Sequence, residues 1–313
     1  MTSAEAGEAR YARNGDVQIA FEDLGGAGGE PLLLVMGLAV SRFWWPEALV
    51  GELVRRGFHV AAYDQRDAGQ STHFPDTGKA SPIAAVLRRS STAYTAEDMT
   101  DDAVAVLDAL GWESAHLFGH SMGGQMAQRI AVRHPGRVRS ITSSASLPGD
   151  VGGLAAGRYV RIGMVARLAR LKFPEGREGD IELAIAVTRT IASHPYPADE
   201  GAVRRAAERD EVSGARDTAA QSRQAGAKWH SGPMSQIRVP ALVLHGSDDP
   251  LLRPAAARRT AARISGARLV ILPGVGHYLP GPLYPQVADE VRALADQAGG
   301  SSASRDGNPA TRA

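Results

Sequence analysis

The chain of 313 residues contains no cysteine. Disulfides, thiolate metal sites and cysteine nucleophiles are therefore excluded. Lysine is nearly absent too: of 35 basic residues only Lys79, Lys172 and Lys228 are lysines, a bias that reads as GC-rich coding rather than function. Charge of one sign is lacking, since 34 acidic residues leave a net charge of +1. That balance gives no global attraction to nucleic acid. The longest apolar run, Leu32–Val40, falls far short of the roughly 20 residues that span a bilayer. The opening MTSAEAGEAR is polar and acidic and resembles no secretory signal. The expectation is a cytoplasmic protein without membrane contact. No H-E-x-x-H, no metal-ligand cluster and no G-x-G-x-x-G at the first strand–helix turn occurs, so neither a metal nor another cofactor is expected.

What is present alternates. Short apolar runs at Val17–Asp23, Leu32–Met36, Phe58–Tyr63, Ala115–Phe118, Val138–Ser143, Ala241–His245 and Arg268–Leu272 read as strands. Helical patterns separate them at Trp44–Arg56, from Thr95 to Gly111, at Met122–Arg133 and at Tyr284–Gln297. Thr95 and Asp98 stand at capping-box spacing. Residues 73–94 read as an irregular insertion with a helical stretch near Ile83–Arg89. Residues 148–233 are helical in pattern. The architecture expected is α/β: a doubly wound, mostly parallel sheet with a helical lid between late strands. The boundaries read as a flexible tail at 1–10, a core at 11–147 and 234–297, a lid at 148–233 and a disordered tail at 298–313. Within the lid, 154–172 carries Arg158, Arg161, Arg167, Arg170 and Lys172 without an acid. It reads as a lid helix with a solvated basic face rather than a lipid-facing one.

The sharpest signal is Gly119-His120-Ser121-Met122-Gly123 between a strand and a helix. A tight turn there has no room for Cβ atoms at the glycines and pushes the serine hydroxyl above the sheet. A serine needs a base, and the base needs an orienting acid. Of nine histidines, His277 in GVGH lies after the last strand, where a loop hangs over the sheet edge. His245 reads instead as a partner of loop backbone. Asp248 and Asp249 in HGSDDP are both available as the acid, with Asp150 an outside candidate. Acyl transfer builds an oxyanion that fixed N–H donors must meet. The backbone N–H of Met122 is one donor, and that of Leu38, after Met36-Gly37, is the second. In YDQRDAGQS, Asp64, Arg66 and Asp67 are expected to tie their charges to one another and to loop backbone.

In this order VMGLAVSRFWW, YDQRDAGQS, AYTAEDMTDDAVAVLDALGW, GHSMGGQMAQRIAVRHP, HGSDDP and PGVGH resemble the α/β-hydrolase superfamily over about residues 15–296. Met36 stands where His is common in that superfamily. Met36-Gly37, the Y-D-x-R-D-x-G-x-S loop and G-x-S-M-G resemble the branch that contains aclacinomycin methylesterase. The resemblance implies Ser121 as nucleophile, Asp249 as acid, His277 as base, and Leu38 and Met122 as oxyanion donors. It implies a small-molecule ester as substrate, cleaved through an acyl-enzyme, with a methyl ester of a bulky apolar, polyketide-like acid as the specific expectation. Antibiotic biosynthesis is the setting this suggests. Trp44 and Trp45 then read either as substrate contacts or as helix core. The same triad on this scaffold also serves C–C bond hydrolysis, lactone opening and peracid formation, and the scaffold serves non-hydrolytic ligand binding or cyclisation.

Overall fold

A computed structural model describes residues 9–75, 93–210 and 214–303. The helical stretch expected near Ile83–Arg89 lies outside the described residues. Eight strands form one sheet: β1 (Arg10–Asn14), β2 (Val17–Gly25), β3 (Glu30–Val35), β4 (Phe58–Tyr63), β5 (Ala115–His120), β6 (Val138–Ser144), β7 (Ala241–Gly246) and β8 (Arg268–Leu272). Their order is β1-β2-β4-β3-β5-β6-β7-β8. The first two pairings are antiparallel and the rest parallel.

Strand β1 was not expected. It pairs with β2 across a two-residue turn in which Gly15 adopts φ 60°. Only Ala12 of its five residues is buried. An edge strand with one core side chain leaves no alternating signature.

The central strands are apolar on both faces because helices cover both. In β3, Leu33 and Val35 join one core cluster with Met99, Val106 and Leu107 of α2 (Ala96–Leu110) and Met126 and Ile130 of α3 (Met122–Arg133). Leu32 and Leu34 face the other way, toward Leu49 and Leu53 of α1 (Glu47–Arg55) and Val287, Val291 and Leu294 of the final helix. Helix α2 starts on the expected capping box, Thr95 Oγ1 accepting from the Asp98 N–H and the Asp98 carboxylate from the Thr95 N–H, and stops at Gly111 at φ 72°. Helix α1 begins three residues later than its pattern suggests. Pro46 disfavours the helical region for Trp45, so Arg42–Trp44 forms a separate 3₁₀ turn.

Between β6 and β7 lie α4 (Ile162–Leu168), α5 (Arg177–Ile191), α6 (Glu200–Arg209) and α7 (Thr218–Gly226). Helix α4 has no buried residue and Ile162 is exposed. Helix α8 (Ala255–Arg263) separates β7 and β8. The closing helix α9 runs from Tyr284 to Ala303, beyond the expected stop at 297. The turns docked on the sheet through Val291 and Leu294 supply the costly helix nucleus, from which the last turns propagate one hydrogen bond per residue. Among the described residues, no helix is long and apolar enough to cross a membrane.

Candidate active site

Ser121 connects β5 to α3 at φ 55° and ψ −122°. A non-glycine residue holds such a conformation only where its surroundings enforce it. Here the glycines on either side provide the room. A Cβ on Gly119 would lie 2.0 Å from the Gly123 carbonyl oxygen, and one on Gly123 would lie 1.9 Å from the Val35 oxygen. The Ser121 N–H donates to Ser144 O at 2.8 Å, tying the turn to β6. The hydroxyl thus stands at the carboxyl end of the parallel strands.

The loops after β7 and β8 converge on the same end. His277 Nε2 is 3.0 Å from Ser121 Oγ, and His277 Nδ1 is 2.8 Å from Asp249 Oδ2. The N–H groups of Leu251 and Leu252 both donate to Asp249 Oδ1 at 2.8 Å. Asp249 is fully buried. Burial raises its pKa, but the His277 charge and hydrogen bond, the Leu252 N–H and His245 outweigh burial and hold it below the ordinary carboxylate value. Asp248 is exposed and accepts from Ser247 Oγ, while Asp150 pairs with Arg263, so neither alternative acid faces His277. The His277 N–H donates to Ile191 O, the C-terminal carbonyl of α5, at 2.9 Å.

Two further histidines surround this trio. His245 bonds the Leu252 carbonyl at 3.2 Å, as expected for a loop partner, and also stands 3.5 Å from Asp249 Oδ2. The ring of His120 lies 5.3 Å from that of His277, centroid to centroid. His120 Nδ1 meets Ser144 Oγ at 3.2 Å. Burial, and after it the His277 charge, pushes His120 down to about 3, so it is neutral near pH 7. Nothing in the linear pattern marks His120 as a neighbour of His277, because that contact crosses the sheet edge. For His245 the i,i+4 spacing to Asp249 was a usable signal.

The loop after β3 passes beside Ser121. A Cβ on Gly37 would stand 3.3 Å from Ser121 Cβ and 3.7 Å from Oγ. Leu38 follows in that loop, and Met122 is the first residue of α3. The positive end of that helix therefore adjoins the serine.

A cleft of about 150 Å³ opens on Ser121 and His277. Met122, Leu147, Val160, Val165 and Leu252 make its walls apolar, and Gln125 is its polar member. A wider, more polar hollow of about 560 Å³ shares Val160 with it and is bordered by Arg161, Ile162, Asp248 and Arg253. Trp44 and Trp45 line neither. Trp45 is buried edge-on against Phe118 at 5.2 Å, and Trp44 donates Nε1 to Asp210 Oδ2 at 2.9 Å. Trp45 thus packs in the core and Trp44 forms a strut to the end of α6, both carried onto the sheet by the 3₁₀ turn ahead of Pro46.

The charged loop after β4 makes the expected ties to loop backbone, Asp64 Oδ2 accepting from the Gln70 N–H at 2.9 Å and Asp67 Oδ1 from the Phe74 N–H at 2.8 Å, but its charges pair with partners outside the loop instead of with one another. Asp64 accepts from the Arg42 guanidinium at 2.5 Å and its N–H at 2.6 Å. Arg66 grips Asp102 of α2 with bonds of 2.6 and 2.7 Å. Asp67 accepts two bonds from Arg223 of α7, at 2.8 and 2.9 Å, and one from Tyr94 at 2.6 Å. Burial drives the Asp64 and Asp102 carboxyls upward against their arginines. Partners distant in sequence let each buried charge be matched separately, which a short loop cannot do internally. Among the described residues, no group of three or more His, Cys, Asp or Glu side chains is arranged to hold a metal ion.

Comparison with known proteins agrees with this fold. Residues 30–280 match the family described as alpha/beta hydrolase fold. The chain is 28% identical to rhodomycin D methylesterase DnrP of Streptomyces peucetius, with 91% of this chain and 97% of that protein covered. It is 26% identical, with the same coverage, to rhodomycin D methylesterase DauP of Streptomyces sp. strain C5. The crystal structure of a hydrolase from Pseudomonas aeruginosa PA01 is similar at a TM-score of 0.66 and 22% identity, covering 95% of this chain and all of that one.

Proposed function

Because the chain belongs to the α/β-hydrolase fold family, we propose that it hydrolyses a carboxylic ester through a covalent acyl-enzyme on Ser121. The observation that carries this reading is the continuous relay from Ser121 Oγ through His277 to buried Asp249, at 3.0 and 2.8 Å. In this scheme His277 Nε2 accepts the serine proton as Oγ bonds to the ester carbonyl carbon. The negative charge moves to the carbonyl oxygen, which the N–H groups of Leu38 and Met122 receive. Collapse breaks the bond to the alkoxy group, and His277 returns its proton to the departing alcohol. A water then repeats the sequence on the acyl carbon and frees the acid and Ser121.

For the substrate we propose a methyl ester of a bulky, apolar acid. Two observations support it: the cleft at Ser121 is walled by apolar side chains, and two methylesterases resemble the chain along nearly its whole length. The helices between β6 and β7 act in this reading as a lid. The test is covalent labelling by a fluorophosphonate together with turnover of a panel of methyl and acetyl esters. Ser121→Ala is expected to abolish both labelling and turnover. Unchanged turnover in that variant refutes the mechanism, and a preference for acetyl esters of bulky alcohols reverses the substrate assignment.

A further inference from the structure

The loop proposed to supply an oxyanion donor is held from both sides by buried carboxamides. On one side, Gln65 Nε2 donates to Met36 O at 2.7 Å. On the other, Gln224 Oε1 accepts from the Ala39 N–H at 2.7 Å while its Nε2 donates to Arg66 O at 2.7 Å. Both glutamines are 2% exposed. Their partners are obligate donors or acceptors, so each bond fixes which end of the carboxamide faces it.

The bonds fall on particular peptide units. Met36 O belongs to the peptide Met36–Gly37, and the Ala39 N–H belongs to the peptide Leu38–Ala39. The unit between them, Gly37–Leu38, carries the Leu38 N–H. It begins at Gly37, where an added Cβ would stand 3.3 Å from Ser121 Cβ, so the unit starts close to that side chain. Ala39 adopts φ 52°, a conformation that costs a non-glycine residue about 1 kcal/mol or more and persists only when neighbours impose it. A Cβ on Gly214 would lie 1.6 Å from Ala39 O, so the chain just before α7 closes against that carbonyl. Helix α7 is itself locked by the two bonds from Arg223 to Asp67.

We propose that Gln65 and Gln224 are positioning residues that aim the Leu38 N–H at the oxyanion, with Gln224 reaching in from the helical insertion. The proposal rests on the acyl-transfer reading above. Neither side chain touches substrate. Each fixes the peptide next to the donor, so the donor meets developing charge without rearranging.

The test compares wild type, Gln224→Met and Gln65→Met, which keep side-chain length and lose the hydrogen bonds. Each variant is expected to lose about 10–100-fold in kcat on p-nitrophenyl butyrate, with KM within about threefold. This is less than the 10²–10³-fold seen when a donor is removed outright, because here it is only displaced. Inhibition by an aryl trifluoromethyl ketone, which adds reversibly to the serine and puts an oxyanion in the same place, is expected to weaken by the same factor as kcat/KM. A merely structural role would not move these two quantities together at constant KM. In wild-type protein the Ala39 amide is expected to be protected from hydrogen exchange. An Ala39 amide that exchanges like a solvated one overturns the proposal even if a variant fails to fold. So do kcat and ketone affinity within twofold of wild type in the folded variants. Turnover that survives Ser121→Ala overturns instead the acyl-transfer reading on which the proposal rests.

Discussion

Asp249→Asn isolates what the carboxylate does for His277, because the change alters one atom in a site whose bonds are all assigned. Asp249 Oδ1 takes two backbone N–H groups, from Leu251 and Leu252. An N–H can only donate, so the asparagine must keep its carbonyl oxygen there. Its NH₂ group is then directed at His277 Nδ1, where Oδ2 now sits at 2.8 Å. Facing a donor, Nδ1 must become the acceptor, and the ring proton moves to Nε2. Nε2 then presents a proton to Ser121 Oγ instead of a lone pair. The proposed base is lost although no residue has moved. Elsewhere a swap of this kind costs about 10⁴ in kcat, or ~5.4 kcal/mol of activation free energy. The backbone bonds survive, so the melting temperature should change by only a few degrees. Initial rates on p-nitrophenyl butyrate beside a thermal melt measure both. The wild-type carboxyl has a lowered pKa, so its stabilisation is complete above the ordinary carboxylate value of about 3.9 and fades as pH falls through the lower folded one. The mutant should lack that acid limb in its stability profile. A kcat loss under tenfold in the folded variant would refute the argument that Asp249 sets the tautomer.

Gly123→Ala should remove the fold of the turn rather than tune it. The new Cβ would stand 1.9 Å from Val35 O, a backbone atom in the middle of the sheet. Soluble yield and the melting temperature should both collapse, and a variant that melts within 3 °C of wild type (on the order of 1 kcal/mol at this size) would contradict the packing described. Asp210→Asn should do the reverse. Burial, against the Trp44 hydrogen bond, raises this carboxyl to about 6. A carboxyl whose folded pKa is raised holds its proton better when folded, so it costs nothing below the unfolded value and destabilises increasingly as pH rises toward 6. Asparagine removes that cost while keeping an acceptor for Trp44. The variant should therefore gain about 1–2 kcal/mol at pH 8, discounted for partial solvent access, and nothing at pH 4. Melting curves at the two pH values decide it, and an equal shift at both would point to packing instead of titration.

The parts of this fold that were legible in sequence are those whose cause is local. The capping box at Thr95, the glycines around Ser121 and the apolar runs of β3 and β4 each declare themselves within a few residues. His277 could be placed because chain order and a loop after the last strand suffice. What stayed hidden depends on partners distant along the chain. Asp67 looks like a loop residue until Arg223, 156 positions away, is seen to grip it. Gln224 sits in an unremarked helical stretch and meets Ala39 across a separation of 185. Trp44 and Trp45 were ambiguous because aromatic side chains serve a pocket and a core equally well. The turn before Pro46 decided for the core, and its consequence for direction is not encoded in hydrophobic pattern.

The contacts made by the helical insertion change how its role should be understood. A cover that only selected substrates would touch the wall of the cleft and little else. Here the insertion reaches three of the four loops that carry the proposed chemistry. Gln224 holds the loop of Leu38, the Ile191 carbonyl accepts from the His277 N–H, and Arg161 Nε donates to the Asp249 carbonyl at 3.2 Å. Each of these bonds ends on backbone, so it constrains position without depending on which side chain the loop carries. The cleft-facing side chains of Val160 and Val165 take no part in that duty, although the Val160 backbone bridges Leu252 of the Asp249 loop. Exchanging Val160 or Val165 should therefore alter which esters are taken while leaving the intrinsic reactivity of Ser121 intact. Replacing the insertion wholesale should lower reactivity toward every ester alike, unless the three backbone contacts are rebuilt with it.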